Sequence, residues 1–194
     1  ALKMLPELTQ AVISRFEKRY HVVLTENEVT DVYGSQEGIA HIGLCLCNPG
    51  DVVLVPNPGY PIFSLGPSLA GADVHTYDLI EENNYLPELE KIDKKLLDKT
   101  KFMIVSYPLN PVCSIAPDRF YEELIPWAQK HDIIILHDNA YSDIIYDGHV
   151  GKSILQFPGA KENCIEFYSL SKSYNYTGAR VGFLVGNEYL VQSF

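Results

Sequence analysis

Seven short runs rich in β-branched and aromatic residues recur along the chain, at Val29–Tyr33, Val52–Val55, Asp73–Tyr77, Phe102–Ser106, Ile133–Asp138, Ile165–Ser169 and Val181–Val185. Most are bounded by Gly, Pro or Asn, and each reads as a strand. Helix-patterned stretches lie between many of them, notably Ser35–Cys47, Leu86–Asp98 and Asp118–His131. This alternation predicts an α/β fold of three layers, with a mainly parallel, mixed seven-stranded sheet between two layers of helices. Ile133-Ile134-Ile135-Leu136 is apolar without alternation, as a strand covered on both faces requires. Open sheets of this class bind ligands beyond the carboxyl ends of their strands, so polar residues just after strands are the candidates for chemistry.

A chain of 194 residues, 46% hydrophobic and 21% charged, is long enough to bury one substantial core without disulfides, and a single domain over 1–194 is the simplest organisation. Fifteen Lys and Arg against 25 Asp and Glu give a net charge of −10 with no dense basic stripe, which argues against a nucleic-acid partner. The sequence has no apolar stretch of membrane-spanning length and no signal-like opening, so no membrane partner is expected. Cys45, Cys47, Cys113 and Cys164 form no C-x-x-C pair, and free thiols in a reducing cytoplasm are expected. The chain opens without Met in an amphipathic helix pattern (Leu2, Leu5, Leu8, Val12, Ile13, Phe16) and stops at Phe194 in another helix start, so both ends read as cut.

Five places at strand exits carry candidate chemistry, and each has a plain structural alternative. Gly34-Ser35-Gln36-Glu37-Gly38 opens a helix, where free amides and a hydroxyl suit a phosphate; Ser35 is equally an ordinary N-cap. Tyr60, between Gly59 and Pro61, offers a ring to stack on a flat heterocycle or to pack over the sheet edge. Asn110 offers a donor and an acceptor, or an Asn-Pro turn. Asp138 ends the most hydrophobic strand, where a carboxylate is costly without a cation, and Tyr141 follows three residues later; a helix N-cap and core packing are the alternatives. In Tyr168-Ser169-Leu170-Ser171-Lys172, an amine follows a strand among hydroxyls, with Arg180 eight residues on; a solvated lysine and a surface ion pair are the plain reading. Gly151-Lys152-Ser153 lacks the first glycine of a P-loop, which would fall at Tyr146, and no G-x-G-x-x-G follows a strand. His131 and His137 have no partnered set of metal ligands.

Taken in order, Tyr60, Asn110, Asp138, Tyr141, Lys172 and Arg180 resemble the large domain of the fold-type-I pyridoxal-phosphate enzymes, within them the class I/II aminotransferases. Three phrases, Gly34-Ser35-Gln36-Glu37-Gly38-Ile39-Ala40-His41, Asn48 to Pro56 and Ser169-Leu170-Ser171-Lys172, are most similar to the branch containing LL-diaminopimelate and related alanine aminotransferases. The resemblance implies the aspartate aminotransferase-like fold and transamination between an amino acid and a 2-oxo acid. It assigns Lys172 as the Schiff-base lysine and proton carrier, Asp138 as the partner of the pyridine nitrogen, Tyr141 and Asn110 to the phenolic oxygen, and Tyr60 to the ring face. Ser35, Gln36, Ser169, Ser171 and Arg180 would bind the phosphate. Lys172 is expected to be buried near Arg180, which would favour its neutral form.

Two departures from the family qualify this reading. Asn110-Pro111-Val112-Cys113 stands where the family usually has Asn-Pro-Thr-Gly, which puts the local turn in doubt. Family members are roughly twice as long, and the arginine for the substrate α-carboxylate lies in a C-terminal region beyond Phe194, so this piece alone is expected to be inactive. The family also implies a homodimer for the intact protein. A β-lyase, decarboxylase or racemase on the same cofactor, and a non-catalytic regulatory module of the same fold, remain the alternatives.

Overall fold

The computed structural model describes residues 4–194. Strands β1 Val29–Val32, β2 Val52–Asn57, β3 Asp73–Asp78, β4 Thr100–Ser106, β5 Ile134–Asp138, β6 Cys164–Ser169 and β7 Gly182–Gly186 form one sheet in the order β1-β7-β6-β5-β4-β2-β3. β7 runs antiparallel to both its neighbours, and the other pairings are parallel. The helices are α1 Pro6–Tyr20, α2 Ser35–Leu46, α3 Ile62–Leu69, α4 Lys94–Leu97, α5 Asp118–Lys130, α6 Ala160–Asn163, α7 Leu170–Ser173 and α8 Glu188–Ser193. The mixed seven-stranded α/β architecture is the one the alternation of runs predicts.

β4 and β5 form the centre of the core: Phe102, Met103, Ile104, Val105, Ile135 and Leu136 are fully buried, with helices above and below. Along β6 the side chains alternate between the two helical layers. Phe167 lies beneath Gly38 of α2, where a Cβ would come within 2.3 Å of its ring. Tyr168, on the opposite face, packs under the Arg15 guanidinium of α1, 4.4 Å from the ring centroid. Arg15 also donates to both oxygens of Asp143, at 2.8 and 2.6 Å, while Arg19 pairs with Asp143 at 2.9 Å and donates to the Ser142 carbonyl. The same carboxylate accepts from the Tyr168 hydroxyl at 3.1 Å, so one acidic group ties α1 to the segments that follow β5 and end β6.

One helical expectation changes. The stretch Leu86–Asp98 is not one helix: a 3-10 turn at Leu89–Lys91 is followed by extended Ile92, and α4 is a single turn. Asp93 accepts from the Lys95 amide at 2.9 Å and caps α4, a position an Asp side chain favours over a helix interior. α3 is a helix that the run pattern does not mark, and it continues through Gly66-Pro67. It packs closely on α2: a Cβ on Gly66 would meet the Ile39 carbonyl at 2.7 Å, and one on Gly43 would meet Pro67 Cα at 3.1 Å. Leu2 falls outside the described residues, and Leu5 is exposed at the start of α1 instead of on its buried face.

This packing makes a direct prediction. Gly66→Ala should destabilise the fold by about 1–3 kcal/mol in urea unfolding, because backbone atoms of α2 must move. Gly178→Ala, where the added methyl meets open space, should stay within about 0.5 kcal/mol of the parent.

Candidate active site

At the carboxyl ends of β4, β5 and β6, a cavity of about 250 Å³ is lined by all ten candidate side chains: Ser35, Gln36, Tyr60, Asn110, Asp138, Tyr141, Ser169, Ser171, Lys172 and Arg180. Phe63, Ser106, Ala140 and Thr177 complete the wall. None of these four carries a signal that singles it out: Phe63 lies on the unpredicted α3, and Thr177 in a polar loop.

One end of the cavity is built to receive negative charge. Gly34, with φ of 79°, is the N-cap of α2, so Ser35 is the first helical residue and not the cap. The opening amides of α2 have no intrahelical acceptor, and they carry the positive end of the helix dipole. A side chain at position 34 would clash with Arg180, whose Nη2 lies 2.3 Å from where the Cβ would stand, so glycine lets the guanidinium lie against the helix start. Arg180 also donates to Ser171 Oγ at 3.3 Å and to the Thr177 carbonyl at 3.0 Å. Ser169 Oγ accepts from the Ser171 amide at 3.2 Å, capping α7, the single turn that carries Lys172. Amides, hydroxyls and a guanidinium therefore converge, as anion binding requires.

Charge of the opposite sign stands at the end of β5. Asp138 is buried and its Oδ1 has no hydrogen-bond partner, so it caps no helix. Burial pushes its carboxyl up to about 7, with His137 pulling down and Glu166 pushing further up. Asn110 Nδ2 reaches the Tyr141 hydroxyl at 3.5 Å. Burial raises the Tyr141 phenol above its usual value against the opposing Asn110 donor, so it remains a neutral hydroxyl near pH 7. Tyr60 is 39% exposed and meets only the edge of Phe63, at 6.2 Å, which leaves its ring available at the cavity instead of packed over the sheet.

The Asn110-Pro111-Val112-Cys113 segment forms a closed turn. Cys113 adopts φ of 63°, the left-handed conformation that glycine takes without strain, and its amide closes onto the Leu109 carbonyl. Lys172 differs from expectation: it is exposed, not buried, with Nζ 5.9 Å from the Tyr141 ring centroid. Its turn, α7, follows the end of β6, and the segment at Thr177 packs on it through the Thr177 hydroxyl, which donates to the Ser171 carbonyl at 3.0 Å. No group of His, Cys, Asp or Glu among the described residues has metal-binding geometry.

The Asp138 environment fixes a pH dependence. A carboxyl raised from 3.8 to about 7 takes up a proton on folding, so its contribution to the ligand-free fold is most favourable below pH 4 and is lost as pH rises to 7. That window is worth roughly 4 kcal/mol, at about 1.4 kcal/mol per pH unit. Asp138→Asn should remove this slope, and urea unfolding at pH 5 and pH 8 should show the variant gaining on the parent at the higher pH.

The family model for "Aminotransferase class I and II" matches residues 1–194. The LL-diaminopimelate aminotransferase of Halothermothrix orenii is 51% identical over 168 residues, covering 87% of this chain and 43% of the relative. That of Aquifex aeolicus is 46% identical over 186 residues, covering 95% and 48%. Among solved structures, apo-BacF from Bacillus subtilis superposes with a TM-score of 0.96 at 38% identity, covering 98% of this chain and 49% of that one. An aminotransferase from Staphylococcus aureus gives 0.96 at 37% identity, covering 100% and 51%. The chain thus spans about half the length of the curated relatives it matches. Fold-type-I aminotransferases depend on pyridoxal 5'-phosphate (PLP). With the family model matched from end to end, the chain belongs to the class I and II aminotransferases.

Proposed function

We propose that residues 1–194 form the PLP-binding large domain of an aminotransferase that exchanges an amino group between an amino acid and a 2-oxo acid. The observation that carries this reading is the charge arrangement of one cavity, with a buried, unpartnered carboxylate oxygen on Asp138 and a cradle of amides, hydroxyls and Arg180. A ligand with a protonated ring nitrogen and a phosphate complements both. The residues present therefore fit PLP, which when bound supplies an electron sink for charge developing at the substrate α-carbon.

Each side chain then has a task. Asp138 would accept a hydrogen bond from the protonated ring nitrogen, because a cation relieves the cost of ionising a buried carboxyl. Arg180, the opening amides of α2 at Ser35 and Gln36, and the hydroxyls of Ser35, Ser169 and Ser171 would hold the phosphate. The Tyr141 hydroxyl and the Asn110 amide would donate hydrogen bonds to the ring oxygen. Tyr60 would pack against the flat ring. Lys172 Nζ would hold the aldehyde end and could carry the proton at the substrate α-carbon. Its exposure leaves room for substrate on that side.

The LL-diaminopimelate aminotransferase relatives point to a diamino dicarboxylic acid as the amino acid substrate. No helix among the described residues is long and apolar enough to cross a membrane. The four cysteines are free. We infer a reducing, cytoplasmic setting from the free thiols; the homodimer is what the family resemblance implies.

The protein incubated with PLP should develop a visible absorbance that Lys172→Ala lacks, and borohydride should fix the cofactor to the parent only. In the full-length protein, Asp138→Ala should lower amino-group exchange by about 10²–10³. Absence of cofactor binding by the full-length parent would overturn the reading.

A further inference from the structure

Asp138 Oδ1 has no partner of its own, so what aims the carboxylate must be its backbone. Its neighbours His137 and Asn139 point to the other face of the sheet, as alternation along a strand requires, and both are completely buried. There a single carboxylate, Glu166 of β6, holds both of them. His137 Nδ1 lies 3.0 Å from Glu166 Oε2, and Asn139 Nδ2 donates to Oε1 at 2.9 Å. The strand register places Glu166 directly opposite His137, and the Asn139 amide extends the ladder to the Phe167 carbonyl at 2.9 Å.

Glu166 is itself fixed. It is fully buried, and Oε2 also accepts from Ser153 Oγ at 2.8 Å and from the Ile154 amide at 2.9 Å. Asn139 Nδ2 has a second acceptor in the Lys152 carbonyl at 2.9 Å. The edge of Tyr121 closes over the His137 ring, 5.8 Å between centroids. A buried carboxylate is a poor way to add stability, since an apolar group of the same shape does as well without the desolvation cost. What it provides is geometry: a rigid acceptor that grips the residue on each side of Asp138 from behind.

We propose that Glu166 is a positioning residue, which aims the Asp138 carboxylate into the cavity by holding His137 and Asn139. This inference rests on the PLP reading above. The charge of Glu166 adds to the effect, because it disfavours ionised Asp138 until a cation arrives on the cavity side.

The test compares dissociation constants for PLP and for the analogue with carbon in place of the ring nitrogen. Only the ring nitrogen engages Asp138, so the ratio of the two reports its aim and not general loosening of the fold. The parent should prefer PLP. Glu166→Gln keeps the shape but sets an amide against one of the donors, and it should narrow the preference about tenfold, the size typical of groups that orient a ligating residue. Asn139→Ala, which frees one side of Asp138 only, should narrow it less, and it decides the matter if Glu166→Gln does not fold.

Equal weakening toward both ligands, or an unchanged ratio with a lower unfolding midpoint, would overturn the inference and leave Glu166 as a structural residue. A parent that binds PLP with no preference over the analogue would overturn the Asp138 role beneath it. A parent that binds neither would overturn the cofactor reading itself.

Discussion

The arrangement of this site depends on an uncompensated carboxylate at the end of a buried strand. β5 crosses the middle of the sheet with apolar residues on both faces, and Asp138 ends it where water is largely excluded. A charge there is unfavourable without a counter-charge. The ligand-free protein responds by raising the carboxyl to about 7; a ligand presenting a protonated nitrogen removes the cost altogether. The other groups around the cavity suit the remainder of such a ligand, with Arg180 and the start of α2 for an anion and Tyr141 with Asn110 for an oxygen between them.

Rigidity comes from short-range contacts with little slack. α2 presents its first amides to the cavity and meets α3 at Gly43 and Gly66, backbone against backbone, which also sets Phe63 and the adjacent Tyr60 at the cavity wall. On the opposite face, Asp143 joins Arg15, Arg19 and Tyr168, so α1 steadies the segments on either side of Tyr141 and Ser169. Between these layers, Glu166 secures the residues flanking Asp138. The sheet therefore holds its polar groups in two sets, one facing the cavity and one behind it.

Much of this was legible in the sequence because the strands are short, apolar and separated by Gly, Pro and Asn, and because chemistry in such sheets collects where strands end. All seven strand runs lie within two residues of β1–β7 at each end, and the ten residues that the family resemblance singles out, most of them at strand exits, share one cavity. What escaped notice depends on partners distant in sequence. The close approach of Gly66 to α2 shows only when the two helices are side by side, and Glu166 reads as one polar residue in a strand until His137 and Asn139 are beside it. The exposure of Lys172 was also hidden, since a motif specifies the residue type and leaves open what covers it.

Nitrogen-15 NMR of the protein loaded with ring-labelled PLP decides whether Asp138 holds a protonated ring nitrogen. The parent should give a resonance in the pyridinium range, moving to the neutral pyridine range in Asp138→Asn. A neutral pyridine resonance in the parent, unchanged by that substitution, would rule out this role for Asp138.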